Sequence, residues 1–288
     1  MRVAHDPLQL GSRPRAVAIG TFDGVHVGHQ AVVRAAVDAG PLPTVVTFHP
    51  HPREVLGYQV SLLATLERRL ELLAGLGVEE ALVVEFSPQV AGLEPEEFAS
   101  AYLASIGAEL VAAGESFRFG RARRGDLALL EGLGFRTCVV PNVEGCSSTE
   151  IRRLTAAGDV RAAAPLLGRP VEVEGTVVSG DQRGGTLGFP TANLRTDPAL
   201  LVPAFGIYAG VARGGRAAVS IGVNPHYGGA ERRIEAYLLD FEDDLYGERL
   251  IVELWERLRD ERAFETEADL VAQIERDVAT TRAATRPV

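Results

Sequence analysis

Over residues 16–157, short apolar β-like runs alternate with amphipathic helix-like ones, and this alternation narrows the possible folds more than any other feature. The β-like runs are 16–19, 44–48, 81–85, 110–113 and 137–140; the helix-like patterns between them cover 31–38, 66–76, 95–105 and 127–133. Such an order predicts a parallel sheet with helices on both faces, whose ligands gather beyond the carboxyl ends of the strands. From Gly168-Arg169-Pro170 onward the pattern changes. Residues 171–178 alternate with period two, further strand-like runs follow at 206–212, 217–221, 233–240 and 250–254, and helical patterning returns only at 267–281. This second half predicts an all-β barrel closed by a C-terminal helix, with one or two short helices over 154–167 joining the halves.

The loops after the predicted parallel strands carry the polar residues. The first strand hands over to a helix through Gly20-Thr21-Phe22-Asp23-Gly24-Val25-His26-Val27-Gly28-His29. Glycines let an anion approach the backbone, and a helix start offers unsatisfied N–H groups and the positive end of its dipole. His26 and His29 are three apart and face the same way on a helix start. They suit phosphate chemistry, a metal site completed by Asp23, His49 and His51, or simple capping. Phe48-His49-Pro50-His51-Pro52-Arg53 follows the second strand and Gly114-Glu115-Ser116-Phe117-Arg118-Phe119-Gly120 the fourth. Ser147-Ser148-Thr149-Glu150-Ile151-Arg152-Arg153 opens a helix after the fifth, as a capping box, an anion cradle, or both. Arg121, Arg123 and Arg124 read as a solvated face or a binding site, and neither role is assigned to them.

All 29 basic residues are arginine, and the chain has no lysine. That excludes a Walker-type phosphate loop and Schiff-base chemistry. A formal net charge of −10 argues against non-specific nucleic-acid binding. No apolar stretch approaches the ~20 residues of a membrane span and residues 1–15 lack a secretion-signal layout, so cytoplasm is the expected compartment. Cys138 and Cys146 read as structural. In the second half, Gly180 and Asp181 open a glycine-rich stretch that ends Gly188-Phe189-Pro190-Thr191-Ala192-Asn193. It reads as a hairpin turn or as a nucleotide loop in which Thr191 and Asn193 offer oxygen ligands to Mg²⁺. Glu235, in the alternating run 233–240, reads on its own as an outward-facing strand glutamate.

Taken together and in order, these motifs resemble the prokaryotic bifunctional riboflavin kinase/FAD synthetase family across nearly the whole chain. The resemblance implies a Rossmann-like FMN adenylyltransferase domain at 1–157, a connecting helical segment at 158–167, and a Greek-key β-barrel riboflavin kinase domain at 168–288. It implies phosphorylation of riboflavin by ATP to FMN and ADP, then transfer of AMP from a second ATP to FMN, giving FAD and pyrophosphate. Mg²⁺ serves both steps, with no tightly bound transition metal, nucleic acid or membrane involved. By that resemblance Gly20, Phe22, Asp23, His26, His29, His51, Ser147, Ser148, Thr149 and Arg152 hold the ATP of the adenylyltransferase, with His26 and His29 catalytic. Ser116, where the family has a larger Asp or Asn, would place flavin or nucleotide. In the kinase, Gly180, Asp181, Gly188, Thr191 and Asn193 hold Mg·ATP, Glu235 is the general base, and Arg259 and Phe264 cover the flavin. Val223 stands where the family often has threonine.

Overall fold

The alternation of the first half folds into a six-stranded, all-parallel sheet of order β1-β4-β3-β2-β5-β6. Its strands are β1 (Arg2–Ala4), β2 (Arg15–Ile19), β3 (Pro43–His49), β4 (Glu80–Glu85), β5 (Ala108–Gly114) and β6 (Arg136–Val140). The computed structural model describes residues 1–180, 185, 187–223 and 232–288, which divide into two units, Met1–Ser148 and Thr149–Val288. In the sheet, successive side chains fall into two cores. Val17, Ile19, Val46, Leu82 and Val111 pack on one face, and Ala16, Ala18, Val45, Leu110 and Ala112 on the other. Strands buried on both faces are what a near-continuous apolar run demands.

The unit's helices are α1 (Pro7–Leu10), α2 (Val27–Ala39), α3 (Pro52–Val55), α4 (Leu66–Gly75), α5 (Pro88–Ala91), α6 (Pro95–Ala99) and α7 (Leu127–Gly132). α2 and α4 cover the second face through Val32, Val33, Ala36 and Leu73; α6 and α7 cover the first through Phe98, Leu127 and Leu130. The helix expected over 95–105 ends in a π-helical turn, Ser100–Ala104. β1 escapes the sequence pattern because three residues, only one of them buried, carry no readable period.

From β2 the chain builds outward on one side through β3 and β4, then crosses to the other side for β5 and β6. The loops after β2 and β5 therefore flank the point where strand order reverses, where open α/β sheets bind their ligands. At the opposite end of β2, Arg15 is fully buried; its Nε and Nη2 donate to Glu80 Oε2 at 2.9 and 2.7 Å, and Nη2 also reaches the Leu10 carbonyl at 3.0 Å. A buried ion pair with its hydrogen bonds filled can persist, whereas losing one partner strands the other. This pair serves the fold and not the chemistry.

The second unit begins at Thr149, within α8 (Ser148–Ala156), and continues through α9 (Val160–Leu167), which packs on β7 and β12. Its barrel comprises β7 (Val171–Val178), β8 (Ala192–Arg195), β9 (Gly206–Ala212), β10 (Gly215–Val223), β11 (Arg232–Leu238) and β12 (Arg249–Arg259). The barrel closes in the order β10-β11-β8-β7-β12-β9, with every neighbouring pair antiparallel. β12 lies beside β9 while β9, β10 and β11 follow one another, which is the Greek-key order. Tyr208, Val219, Ile221, Ile234, Ala236 and Val252 fill the interior. α10 (Glu267–Ala283) contacts β9 and β10 from outside. β8 was not visible as a strand in the sequence, since four residues after a proline show no alternation of their own.

Candidate functional site

β2 delivers the chain to Gly20, and the turn that follows is unusual: Phe22, Gly24 and Val25 all have positive φ, at 52°, 76° and 42°. Phe22 and Val25 tolerate this left-handed backbone only because the surroundings hold it. Asp23, buried, accepts hydrogen bonds from the backbone N–H groups of Leu63 and Ala64 at 3.0 and 3.3 Å. Arg69, one turn into α4, donates to the carbonyls of Thr21 and Phe48 at 2.6 and 3.2 Å, and so joins the loop after β2 to the end of β3. Burial pushes the Arg69 guanidinium below its ordinary value, and the Asp23 carboxylate pulls it back up.

The turn ends at His26, which caps α2: its Nδ1 accepts the His29 backbone N–H at 3.3 Å. A backbone N–H only donates, so Nδ1 is the acceptor and the neutral ring carries its proton on Nε2. The His29 ring stacks on that of His26, with centroids 3.6 Å apart and planes 17° from parallel, and meets the edge of Phe22 at 5.4 Å. A Cβ at Gly28 would come within 3.2 Å of His26 Cε1, so glycine keeps the histidine seated. The two rings line a cavity of about 270 Å³ together with Gly20, Phe22, Ser116, Cys146, Ser147 and Ser148. Cys146 Sγ stands 3.5 Å from His26 Nδ1.

On the barrel, strand register assembles a second site. Asn193 pairs with Glu235, Glu235 with Ser220, Ser220 with Ile207, and Ile207 with Arg259, crossing β8, β11, β10, β9 and β12. Directly opposed residues share a face, and their buried neighbours Ile234, Ala236, Val219 and Ile221 take the interior. The row is therefore external, and Leu270, Ile274 and Asp277 of α10 roof it to form a cavity of about 260 Å³ that also holds Thr191, Phe189 and Tyr237. A second cavity, of about 460 Å³, is lined by Pro190, Thr191, Phe241, Asp244, Leu245 and Tyr246 among others. Thr191 borders both. Asn193 is seated by an absence: a Cβ at Gly180 would fall 2.3 to 2.6 Å from its side-chain amide. Arg233 Nη1 lies 3.9 Å from Glu235 Oε1.

Comparison with known proteins places a FAD synthetase model on residues 9–152 and a riboflavin kinase model on residues 167–285. The bifunctional riboflavin kinase/FMN adenylyltransferase of Listeria monocytogenes is 38% identical over 290 residues, covering 93% of this chain and 92% of that one. The chain belongs to that family. Its Bacillus subtilis relative of the same name is 36% identical, with 95% and 93% of the two chains covered. The same architecture occurs in a crystal structure from Streptococcus pneumoniae described as a macrolide-efflux protein, at 32% identity and a TM-score of 0.88 over 98% and 99% of the two chains. Among the described residues of the present chain, no helix is long and apolar enough to cross a membrane.

Within the FAD synthetase half, the cavity gathers Gly20, Phe22, His26, His29, Ser116, Ser147 and Ser148. Asp23 and His51 do work beside it. Asp23 holds the loop through the two amides, and His51, after the cis His49–Pro50 peptide, caps α3 by accepting the Arg53 N–H at 3.2 Å. Among the described residues, no group of three or more His, Cys, Asp and Glu gathers as a metal ion would need. Thr149 and Arg152 lie in α8, Arg152 one turn on from Ser148, and Glu150 pairs with Arg153 at 2.5 Å. In the kinase half, Thr191, Glu235 and Arg259 line one cavity, while Arg259 Nη2 is held by Asp277 Oδ2 at 2.7 Å and its guanidinium lies 5.9 Å from the Phe264 ring. Phe264 is not among that cavity's lining residues. Gly188 has a φ of 88°; Asp181 and the loop at Asn224-Pro225 lie outside the described residues.

Arg69, Ser220 and Asp277 escaped the sequence reading, and Cys146, read there as structural, lines the cavity. Arg69 had a signal: it interrupts the apolar stripe of Leu66, Leu70 and Leu73, where a charge is out of place unless something buried needs it. Ser220 had none, because only register brings it beside Glu235.

Proposed function

We propose that 1–157 carries the adenylyl transfer and 168–288 the phosphorylation, with 158–167 connecting them, in a cytoplasmic enzyme that converts riboflavin to FMN and then to FAD. The observation that carries the residue assignment is Thr191, which borders both barrel cavities. Nucleotide in the larger cavity and flavin under α10 would meet at that residue. The flavin 5′-hydroxyl then attacks the γ-phosphorus, the bond to ADP breaks, and Glu235 takes the hydroxyl proton. Arg259, oriented by Asp277, closes the flavin side, with Phe264 on the segment beyond it. Thr191 Oγ1 and Asn193 Oδ1 are hard oxygen donors suited to Mg²⁺ shared with substrate phosphates. When bound, that ion would neutralise phosphate charge.

In the first domain an FMN phosphate oxygen attacks the α-phosphorus of ATP and pyrophosphate leaves, so no protein nucleophile is required. His26 and His29 donate to the phosphates; the Nε2–H of His26 is fixed by its cap. Ser147, Ser148 and the start of α8, with Thr149 and Arg152, would take the outer phosphates. Arg69 and Asp23 keep the loop in its left-handed form. Purified protein supplied with riboflavin and Mg·ATP should produce FMN first and FAD second, read by chromatography of the flavins. No flavin turnover, with oxidised or reduced riboflavin, would sink the proposal.

Gly180→Ala offers a narrower check on the kinase. Its Cβ would displace the Asn193 amide, so phosphorylation should fall roughly 10–100-fold and half-saturation should need more Mg²⁺. Adenylylation of supplied FMN should be unchanged. A variant with wild-type Mg²⁺ dependence would remove Asn193 from the metal set.

A further inference from the structure

Gln273 and Asp277 stand four residues apart on one face of α10, and both are buried. Asp277 grips Arg259: Nε donates to Oδ1 and Oδ2 at 3.1 and 3.0 Å, and Nη2 to Oδ2 at 2.7 Å. Gln273 stands behind that pair. Its Nε2 donates to Asp277 Oδ1 at 2.8 Å, while its Oε1 accepts from Arg276 Nη2 at 2.9 Å and from Arg262 Nη2. Arginine only donates and an ionised carboxylate only accepts, so the amide has one orientation here, and the position needs a side chain that offers both a donor and an acceptor. Gln273 is not among the residues lining the cavity under α10, to which Asp277 and Arg259 both belong.

This bracing falls where the sheet is least able to supply it. Register between β12 and β9 slips between Arg257 and Arg259, and an irregular ladder re-aims the side chains beyond it. Asp277 and Gln273 tie Arg259 and Arg262 to a single helix, and so hold the chain past the slip. The Arg262 guanidinium in turn lies 4.8 Å from the Phe264 ring. Of the N–H donors of Arg259, those on Nε and one on Nη2 go to Asp277, and one on Nη1 goes to the Asp260 carbonyl at 2.9 Å. A guanidinium carries two N–H groups on each terminal nitrogen, so among the described residues a second donor on each is left for an acceptor in the cavity.

We propose that Gln273 is a positioning residue for riboflavin: by holding Asp277 on one side and Arg262 on the other, it fixes the direction in which Arg259 offers those donors to carbonyl oxygens of the flavin ring. The inference rests on Arg259 as a flavin-side residue. Arg259 stands three strands from Glu235 in the row, about 14 Å along the barrel surface. The network therefore governs how the ring is held, and leaves the transfer of the phosphoryl group alone.

The test is steady-state phosphorylation of riboflavin by the full chain carrying Gln273→Met or Gln273→Glu, each alone and combined with Arg259→Ala. Methionine keeps the length of the side chain and loses both donor and acceptor. Glutamate keeps the acceptor for the two arginines, loses only the donor to Asp277, and stands in if the methionine variant does not fold. In either, KM for riboflavin should rise about five- to tenfold, the scale of one hydrogen bond to a charged group, with kcat within about twofold of wild type. With Arg259→Ala already present, the same changes should raise KM no further, because a residue that acts through Arg259 has nothing left to position. An unchanged KM in folded variants overturns the proposal, as does a fall in kcat at constant KM. An equal rise in KM with and without Arg259 also overturns it, since a merely structural role acts in both backgrounds. If Arg259→Ala by itself left KM for riboflavin at the wild-type value, the assignment of Arg259 to the flavin would fail instead.

Discussion

Glu235→Gln should abolish riboflavin phosphorylation, by on the order of 10²–10⁴-fold, while supplied FMN is still converted to FAD. Glutamine keeps the size of the side chain and its place in the row between Asn193 and Ser220, and removes only the ability to take a proton. The substitution is also mild for the fold. Glu235 stands on the outer face of the barrel, and its ion pair with Arg233 spans 3.9 Å between partly exposed side chains, a contact of little weight for stability. A loss of kinase turnover with unchanged KM for riboflavin would mark a group needed for the chemical step and not for binding. Retention of more than a tenth of the activity would move the base elsewhere. Loss of both activities in a folded protein would end the assignment of one step to each domain.

The sheet was legible because its strands are apolar on both faces and its helices amphipathic, so periodicity alone separates them. The barrel was legible for the opposite reason, through period-two runs such as 171–178. What sequence order could not convey was register. Ser220 is fifteen residues from Glu235 and Arg259 twenty-four, yet pairing across β11, β10, β9 and β12 sets them in one line. Individual signals failed in the same way at Glu235, which by pattern alone was an ordinary solvent-facing strand residue; the family resemblance made it a candidate base, and register supplies the neighbours that pattern could not. Asp23 is the converse case. It sits in the most recognisable motif of the chain, but its carboxylate is engaged by the amides of Leu63 and Ala64, forty residues on, and the metal reading it supported loses a donor. Motif residues that shape a loop and motif residues that touch a substrate look alike until the hydrogen bonds are known.

His29→Ala should lower FAD formation from supplied FMN by about 10²–10³-fold, the usual loss on removing a charge-stabilising donor, and leave riboflavin phosphorylation intact. Of the two histidines it is the cleaner test. His26 is the cap of α2, so replacing it also removes a helix-terminating hydrogen bond worth ~1 kcal/mol, and a loss of activity would be ambiguous. His29 is the third residue of that helix, where alanine is the best former, and its backbone N–H still donates to His26 Nδ1 after the change. What disappears is the ring stacked 3.6 Å from His26 and edge-on to Phe22. The deficit should therefore lie in the adenylyl-transfer step, with pyrophosphate release falling in parallel with FAD formation and thermal unfolding almost unmoved. A variant that still made FAD at the wild-type rate would show that the stacked pair supports the loop as Asp23 and Arg69 do, and that the phosphates are held by the serines and the helix start instead.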